Sequence, residues 1–220
     1  MTYFSAVRIN PLRAASRKLL ANPRAMHGAV IGGLADYSAA ERTLWRVDTS
    51  NPRRPTLLVV TESKPDWTHV VEQAGWPDAD GAHCDVYDYE PVLNSLKPGQ
   101  NFAFLVTANP VHSVLRQRAN TERRTTRTGL RTADAQLAWF AQRAGGWGFE
   151  LAADSLRVSA SERLSFAKNG RGPKVTLTTA TFEGSLRVTD PDALAQALRS
   201  GLGPAKAYGC GLLTLSPATV

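Results

Sequence analysis

Apolar and polar residues alternate in several short runs of the chain, and stretches with helical spacing separate these runs. The alternation predicts four strands in the first half, at residues 3–9, 43–49, 55–62 and 84–90. The spacing predicts a first crossover split into two helices, the second starting at Asn22 and Pro23, which suit a helix N-cap and first turn. A further helix is predicted at 65–75. This β-α-β-β-α-β order is typical of a ferredoxin-like domain.

The same order begins again after residues 91–100, whose proline and glycine predict a linker. Strands are predicted at 101–110 and 211–217 and helices at 132–146 and 190–203. Between the two helices, β-rich runs surround an Asn-Gly hairpin signal at 167–174. We therefore expect an α+β fold of two tandem ferredoxin-like (RRM-like) domains. The expected boundaries are 1–92 and 98–220.

The hydrophobic pattern of the chain bears on its cellular compartment and on contact with a membrane. The sequence has no run of about 18 apolar residues, so we expect no membrane span. Its N-terminus alternates like a strand and lacks the charged-then-apolar pattern of a signal peptide. We therefore expect a cytoplasmic protein without a membrane partner.

Cysteine and histidine spacing argues against a metal site. Cys84 and Cys210 have no CxxC partner, so buried thiols are more plausible than a disulfide or a zinc site. The histidines show no metal-ligand spacing; they are His27, His69, His83 and His112. We expect no metal and no cofactor.

The net charge of +7 is concentrated in one segment. Residues 111–175 hold 12 Lys and Arg against 5 Asp and Glu, and basic and acidic residues are equal in number elsewhere. The densest part is RQRANTERRTTRTGLR, Arg116 to Arg131, with six arginines and one glutamate. Concentrated arginine indicates a phosphate backbone as partner. The alternative is a solvated loop without a partner, since the stretch is too polar for a core.

A glycine-rich stretch near the C-terminus, GLGPAKAYGCGLLTLSP, joins a predicted helix to a predicted strand. Gly203, Gly209 and Gly211 allow positive φ or close backbone approach. Exposed amides together with Lys206 could hold a phosphate. The alternative is a tight helix-to-strand connection that packs on the neighbouring domain.

The stretch GPAKAYGCGLLTLSP resembles the C-terminal glycine-rich loop of CRISPR-associated repeat-processing endoribonucleases of the type I-E subtype, the CasE family. The first strand followed by NPRAMH is similar to that family's start. TESKPDWTHV, LKPGQNFAFLVTANP, AQLAWFAQR and TFEGSLRVTDPDAL follow in the family's order. The resemblance extends over essentially the whole chain.

The resemblance implies a metal-independent endoribonuclease. Such an enzyme cleaves a CRISPR repeat transcript at the 3′ base of its stem-loop, by attack of the RNA's own 2′-hydroxyl on the adjacent phosphorus. The products carry a 2′,3′-cyclic phosphate and a 5′-hydroxyl. The enzyme then keeps the mature guide RNA and becomes a subunit of the Cascade surveillance complex. We expect it to be a monomer when free.

The resemblance also assigns the catalytic residues. His27 matches the family's catalytic histidine by position, and histidine is the side chain best suited to proton transfer near neutral pH. We expect the helix N-terminus to favour phosphate and to lower the pKa of His27. Arg24 departs from the family, whose better-known members often carry tyrosine there. Arginine cannot act as a base, so Arg24 is expected to neutralise the scissile phosphate. The alternatives are a half-exposed helical histidine and an ordinary surface arginine.

RNA-binding candidates follow from two basic segments that match the family. TERRTTRTGLRT matches a basic segment of variable length, and AKNGRGPK falls where relatives place a basic hairpin against the RNA stem. Because A-form RNA has a narrow major groove, such a hairpin should contact shape and backbone. The candidates are Arg123, Arg124, Arg127, Arg131, Lys168, Arg171 and Lys174.

Two other classes of function remain open at this point. One is an RNA-binding subunit with the same fold and no catalysis, which the arginine at position 24 keeps plausible. The other is a small-molecule enzyme on a ferredoxin-like scaffold. The sequence contains no cofactor-binding motif that would support such an enzyme, and this function would leave the arginine cluster unexplained.

Overall fold

The computed structural model of the chain describes residues 1–35, 38, 41–77, 81–117, 123–167 and 174–218. It contains two main antiparallel sheets, one from each half of the chain, and a separate two-stranded hairpin. Each main sheet packs against helices around a core of its own. The protein therefore has an α+β fold, as expected.

The first half contains every element that its hydrophobic pattern predicts. These elements are β1 (Tyr3–Arg8), α1 (Ala14–Ala21), α2 (Pro23–Ile31), β2 (Leu44–Asp48), β3 (Thr56–Thr61), α3 (Thr68–Ala74) and β4 (Cys84–Asp88). The strands lie in the order β2-β3-β1-β4, with antiparallel neighbours throughout. The first crossover is split into two helices, as predicted.

Helix α2 begins where the sequence places its start. The side chain of Asn22 accepts hydrogen bonds from the backbone N–H groups of Arg24 (3.0 Å) and Ala25 (3.4 Å), and proline follows at the first helical position. Met26 and Val30, four residues apart, are buried in the first core. This burial fixes the rotation of the helix and leaves the face that carries Arg24 toward solvent.

The second half contains more elements than the first. They are α4 (Glu90–Asn94), β5 (Asn101–Ala108), β6 (Val111–Gln117), β7 (Arg123–Gly129), α5 (Ala133–Ala144), β8 (Phe149–Leu151), β9 (Arg157–Ala167), β10 (Lys174–Val188), α6 (Pro191–Ser200) and β11 (Leu213–Pro217). The sheet order is β11-β5-β10, and both β8 and β9 pair with β10. The second core is rich in stacked aromatic rings, including those of Phe104, Phe140 and Phe182.

Residues 91–100, which were predicted to be a linker, join the sheet of the first half to that of the second, and their first part is helical. Leu93 and Leu96 are buried in the second core, so the connection is packed. Pro91 lies in the first turn of α4, where a missing N–H does no harm, and Pro98 and Gly99 form a turn before β5.

The arginine-rich stretch is also different from the expected polar loop. β6 and β7 pair as an antiparallel hairpin, with Val111 opposite Gly129 and Gln117 opposite Arg123. The register places Arg116 directly opposite Arg124. Valine in β6 and threonine in β7, which favour strands, lie among the arginines and explain why this stretch forms a hairpin.

The two halves contact each other through the faces of their sheets. Leu44 and Val60 of the first sheet pack with Leu212, which immediately precedes β11. Beside this cluster the guanidinium of Arg46, which is only 3% exposed, donates through Nη2 to Oγ1 of Thr214 at 2.8 Å. This interface fixes how the C-terminal loop lies against the first half.

Within the described residues, no helix has the length and apolar character needed to cross a membrane.

Candidate active site and nucleic-acid interface

His27 lies on α2, five positions into the helix, and is half-buried. Its Nδ1 is buried, and no described residue forms a hydrogen bond with it. Burial lowers the pKa of the imidazole below its usual value, since the charged form loses its hydration. At neutral pH the side chain is therefore neutral and can accept a proton.

The direction of this pKa shift is the expected one, but its cause is different. The N-terminal amides of α2 that were expected to favour phosphate, at Arg24 and Ala25, already donate to the Asn22 side chain. The start of the helix is therefore not an open anion site, and burial is the cause of the low pKa of His27.

Arg24 is exposed and lies three residues before His27, so the two side chains project from the same side of α2. No described acidic residue forms an ion pair with Arg24. Its guanidinium is therefore available to bind an anion that approaches His27.

The glycine-rich loop of the second half packs against the same helix. Its 3-10 turn, Lys206–Tyr208, contacts both α2 and β2. Gly209 ends the turn with φ +80°, and a Cβ there would lie 2.8 Å from the indole of Trp45 in β2. A larger residue would push the loop away from the first half.

The other two predicted glycines have similar roles. Gly203 and Gly211 both have positive φ, and a Cβ at either would crowd the ring of Trp139 or the backbone of Leu202. The alternative of a tight connection packed on the neighbouring half therefore describes Gly209, whereas Gly203 and Gly211 pack within the second half. The packing of Gly209 does not compete with a functional role, because it holds the loop that brings Lys206 beside α2.

Lys206 is half-buried within this turn. Burial lowers the pKa of its ammonium, and the charge of Arg42, just before β2, lowers it further. Lys206 is a cation on the turn that contacts α2, and a cation at this place would attract a phosphate group. Arg42 was not predicted, since nothing in its local sequence distinguishes it from other surface arginines.

A basic cavity of about 420 Å³ opens on the other side of the glycine-rich loop. Three arginines line it: Arg127 from β7, Arg131 just after β7, and Arg163 from β9. Pro204, Ala205 and Tyr208 form the wall that the loop contributes. The described residues around it include no Asp or Glu. Its size and charge suit a phosphate-rich ligand.

The glycine-rich loop therefore connects the helix that carries Arg24 and His27 with the basic cavity. It contacts α2 through its 3-10 turn, and it forms one wall of the cavity. Two further residues of this site, Arg163 and Tyr208, were not predicted. Only strand pairing and loop packing bring them to the cavity.

The remaining predicted residues are known mainly by backbone position. Arg123 and Arg124 begin β7, within the hairpin that continues to Arg127. Lys174 begins β10 and stands opposite Ala167 of β9. The predicted β9–β10 hairpin is thus present up to its tip, but Lys168 and Arg171 lie outside the described residues. Among the described residues there is no group of three or more His, Cys, Asp or Glu that could hold a metal ion.

Comparison with known proteins gives a consistent result. The sequence pattern of the family described as CRISPR associated protein matches residues 2–217. The CRISPR-associated endoribonuclease Cse3 of Thermus thermophilus is 30% identical over 220 residues, covering 95% of this chain and 97% of that protein. The Cascade subunit CasE of Escherichia coli is 27% identical over 194 residues, covering 83% and 92%.

The solved structures agree with the sequences. Thermus thermophilus Cse3 bound to an RNA that represents a pre-cleavage complex superposes with a TM-score of 0.76 at 29% identity. The superposition covers 98% of this chain and 99% of that chain. A second structure of Cse3, bound to a 19 nt RNA, superposes with a TM-score of 0.75, also at 29% identity.

Proposed function

The chain belongs to the CRISPR-associated protein family, in its type I-E Cse3/CasE group, and on this premise we propose that it is a repeat-processing endoribonuclease. It cleaves CRISPR precursor RNA at the 3′ base of the repeat stem-loop. It then stays bound to the mature guide RNA as a Cascade subunit in the cytoplasm. The observation that carries this proposal is the glycine-rich loop, which contacts the helix of His27 and also lines the basic cavity.

The architecture is two tandem ferredoxin-like domains. The strand order β2-β3-β1-β4 of the first half supports this architecture. The second half supports it as well, because its strand order is β11-β5-β10 and both β8 and β9 pair with the remaining edge of β10. In this interpretation β8 and β9 are one interrupted strand. The β6–β7 hairpin is then an insertion between the first strand and first helix of the second domain.

The chemistry is an internal transesterification. His27, neutral because it is buried, accepts the proton of the 2′-hydroxyl. The 2′-oxygen then forms a bond to phosphorus, and the bond from phosphorus to the 5′-oxygen breaks. The departing oxygen takes up one proton, so the products are a 2′,3′-cyclic phosphate and a 5′-hydroxyl. No metal ion takes part in these steps.

Arg24 and Lys206 stabilise the negative charge of the pentacoordinate phosphorus. Both are cationic groups beside the helix of His27, and Arg24 is free of any described ion pair. Arginine stays protonated, so it cannot replace the family tyrosine as a proton carrier. It can instead donate two parallel hydrogen bonds to phosphate oxygens.

The basic cavity holds the phosphate backbone of the stem. Arg127, Arg131 and Arg163 supply its positive charge. Arg123 and Arg124 extend the same hairpin, Lys174 begins β10, and Lys168 and Arg171 lie in the sequence between β9 and β10, outside the described residues. Contacts of this kind position the RNA by shape and charge rather than by base sequence.

One experiment tests the reaction directly. The protein is incubated with its repeat RNA in EDTA, and in parallel with the same RNA carrying a single 2′-deoxy substitution at the scissile nucleotide. We expect cleavage of the first RNA to cyclic-phosphate ends, and binding without cleavage of the second. Equal cleavage of both RNAs would contradict attack by the 2′-hydroxyl.

A second candidate function is that of a non-catalytic RNA-binding subunit. The specific observation in its favour is Arg24, which removes the tyrosine that many relatives carry. The same experiment separates the two functions. An RNA that is bound tightly and never cut, in EDTA or with divalent cations, would favour the binding subunit.

A further inference from the structure

A second groove lies on the first half of the molecule, between α3 and the strand β4. Its volume is about 760 Å³. Its floor and walls are mainly apolar, formed by Pro65, Trp67, Val71, Cys84 and Val86. Trp67 and Val71 belong to the first core, whereas Cys84 and Val86 are only partly buried. The groove is therefore a place where the core reaches the surface.

One wall of this groove is the edge of a sheet. β4 is the last strand in the order β2-β3-β1-β4, and it pairs with no other described strand than β1. The backbone N–H of Arg8 donates to the carbonyl of His83 (3.1 Å), and that of Tyr89 donates to the carbonyl of Thr2 (2.8 Å). Backbone groups alternate in direction along an antiparallel strand. Those of Cys84 and Val86 therefore point away from β1, toward solvent.

The rim of the groove is acidic. Residues 62–90 contain eight Asp and Glu and a single Lys, although the whole chain is basic. Asp66 and Glu72 line the groove, with Lys64 as its one cation among the described lining residues. Asp85 is paired with Arg8 at 3.4 Å, so the acidic character of the groove comes from Asp66 and Glu72. The net charge of the described lining residues is negative, opposite in sign to that of the basic cavity.

We infer that the β4 edge and the α3–β4 groove bind an extended protein segment, supplied by another subunit of the surveillance complex, whose groove-facing side chains are both apolar and basic. The inference rests on the proposed function in one respect, membership of that complex. The added strand pairs with Cys84 and Val86, and its apolar side chains enter the groove beside Val71. Every second side chain of the added strand faces the groove, and the basic side chains at these positions meet Asp66 and Glu72.

The first test removes one edge hydrogen bond and keeps the sheet intact. Val86→Pro deletes an N–H that points to solvent, so the β1–β4 ladder loses no bond. Val86→Thr is the matched control, because it keeps both the N–H and the branched shape. The other subunits of the surveillance complex are assembled, without this chain, on a guide RNA that lacks the repeat stem. Wild type and each variant are then titrated into this complex. This RNA removes the nucleic-acid tether, so only protein contacts remain.

We expect Val86→Pro to weaken this association about tenfold, and Val86→Thr to bind within about twofold of wild type. A second variant does not depend on the strand. Glu72→Lys reverses a charge on the exposed side of α3, and Gln73→Lys adds a charge at the neighbouring exposed position outside the groove. Glu72→Lys should weaken association about tenfold and more strongly at low salt, and Gln73→Lys should leave it unchanged.

Three results would overturn the inference. They are wild-type protein that does not associate with the stemless complex, Val86→Pro and Glu72→Lys proteins that associate normally, and an edge occupied by a second copy of this chain. Self-association of wild type that Val86→Pro abolishes would show the last of these. Cleavage of repeat RNA is measured on every variant. A variant that cleaves repeat RNA normally but no longer binds the complex supports the inference. A wild-type protein that does not cleave repeat RNA would contradict only the proposed function.

Discussion

The basic cavity and the acidic α3–β4 groove are two concave surfaces beside antiparallel strands, and they differ mainly in charge. Three arginines line the first without a described acid, whereas Asp66 and Glu72 line the second with one lysine. The first has polar walls from threonine and asparagine, and the second is mainly apolar. Under the two proposals, charge directs RNA to the first surface and protein to the second, so the two partners would not compete.

Their positions relative to His27 differ as well. The basic cavity and α2 both contact the glycine-rich loop, so a ligand in the cavity lies against the loop that packs on the helix of His27. The acidic groove is built on α3 and β4, and none of its lining residues belongs to α2 or to the loop. Substitutions at one surface should therefore leave the function of the other intact.

Replacing His27 should have the largest effect and would separate chemistry from binding. For His27→Ala we expect cleavage to fall about 10³-fold, because no other described side chain replaces the base, with almost unchanged RNA affinity. Single-turnover cleavage and filter binding measure the two quantities. Unaltered cleavage would remove His27 from the reaction.

Replacing Arg24 should have the next largest effect. Arg24→Ala should slow single-turnover cleavage about 10²-fold, because one donor to the developing phosphorane charge is lost. Arg24→Lys keeps the charge but loses the planar pair of donors, so it should recover only part of the rate. A normal rate for Arg24→Ala would show that this arginine is an ordinary surface residue.

The basic cavity can be tested through the salt dependence of RNA binding. Removing Arg127 and Arg163 together should weaken binding by about one to two orders of magnitude and reduce the salt slope by about two. The matched control is Arg53→Ala with Arg54→Ala, two exposed arginines in the β2–β3 turn outside the cavity. An unchanged slope in the cavity variant would exclude these arginines from the interface. The same reasoning applies to Arg123 and Arg124.

The pH dependence of cleavage should show the smallest effect and tests the burial of His27. The folded pKa of His27 is lowered, so the neutral, active base persists as the pH falls below the ordinary histidine value of about 6.5. The single-turnover rate should therefore be nearly constant from about pH 7 to pH 8, and it should decline only below about pH 6.5. A midpoint at or above 6.5 would indicate an exposed histidine.

Much of this molecule was determined by local sequence. The alternation of residues 3–9 predicted β1, and Asn22-Pro23 predicted the start of α2 with its side-chain cap. The charge distribution identified the segment that carries the cavity arginines Arg127 and Arg131. These features depend on a few neighbouring residues, whose periodicity and capping chemistry act within one element.

Only the tertiary structure decided which elements meet. The pairing of β9 with β10 brings Arg163 to the basic cavity, and the contact of Gly209 with Trp45 brings Lys206 beside α2. The unpaired edge of β4 likewise depends on the strand order of the whole sheet. Residues far apart in sequence carry no local signal of such neighbours. Their contacts depend on how two complete cores and an interface between sheets bury apolar surface together.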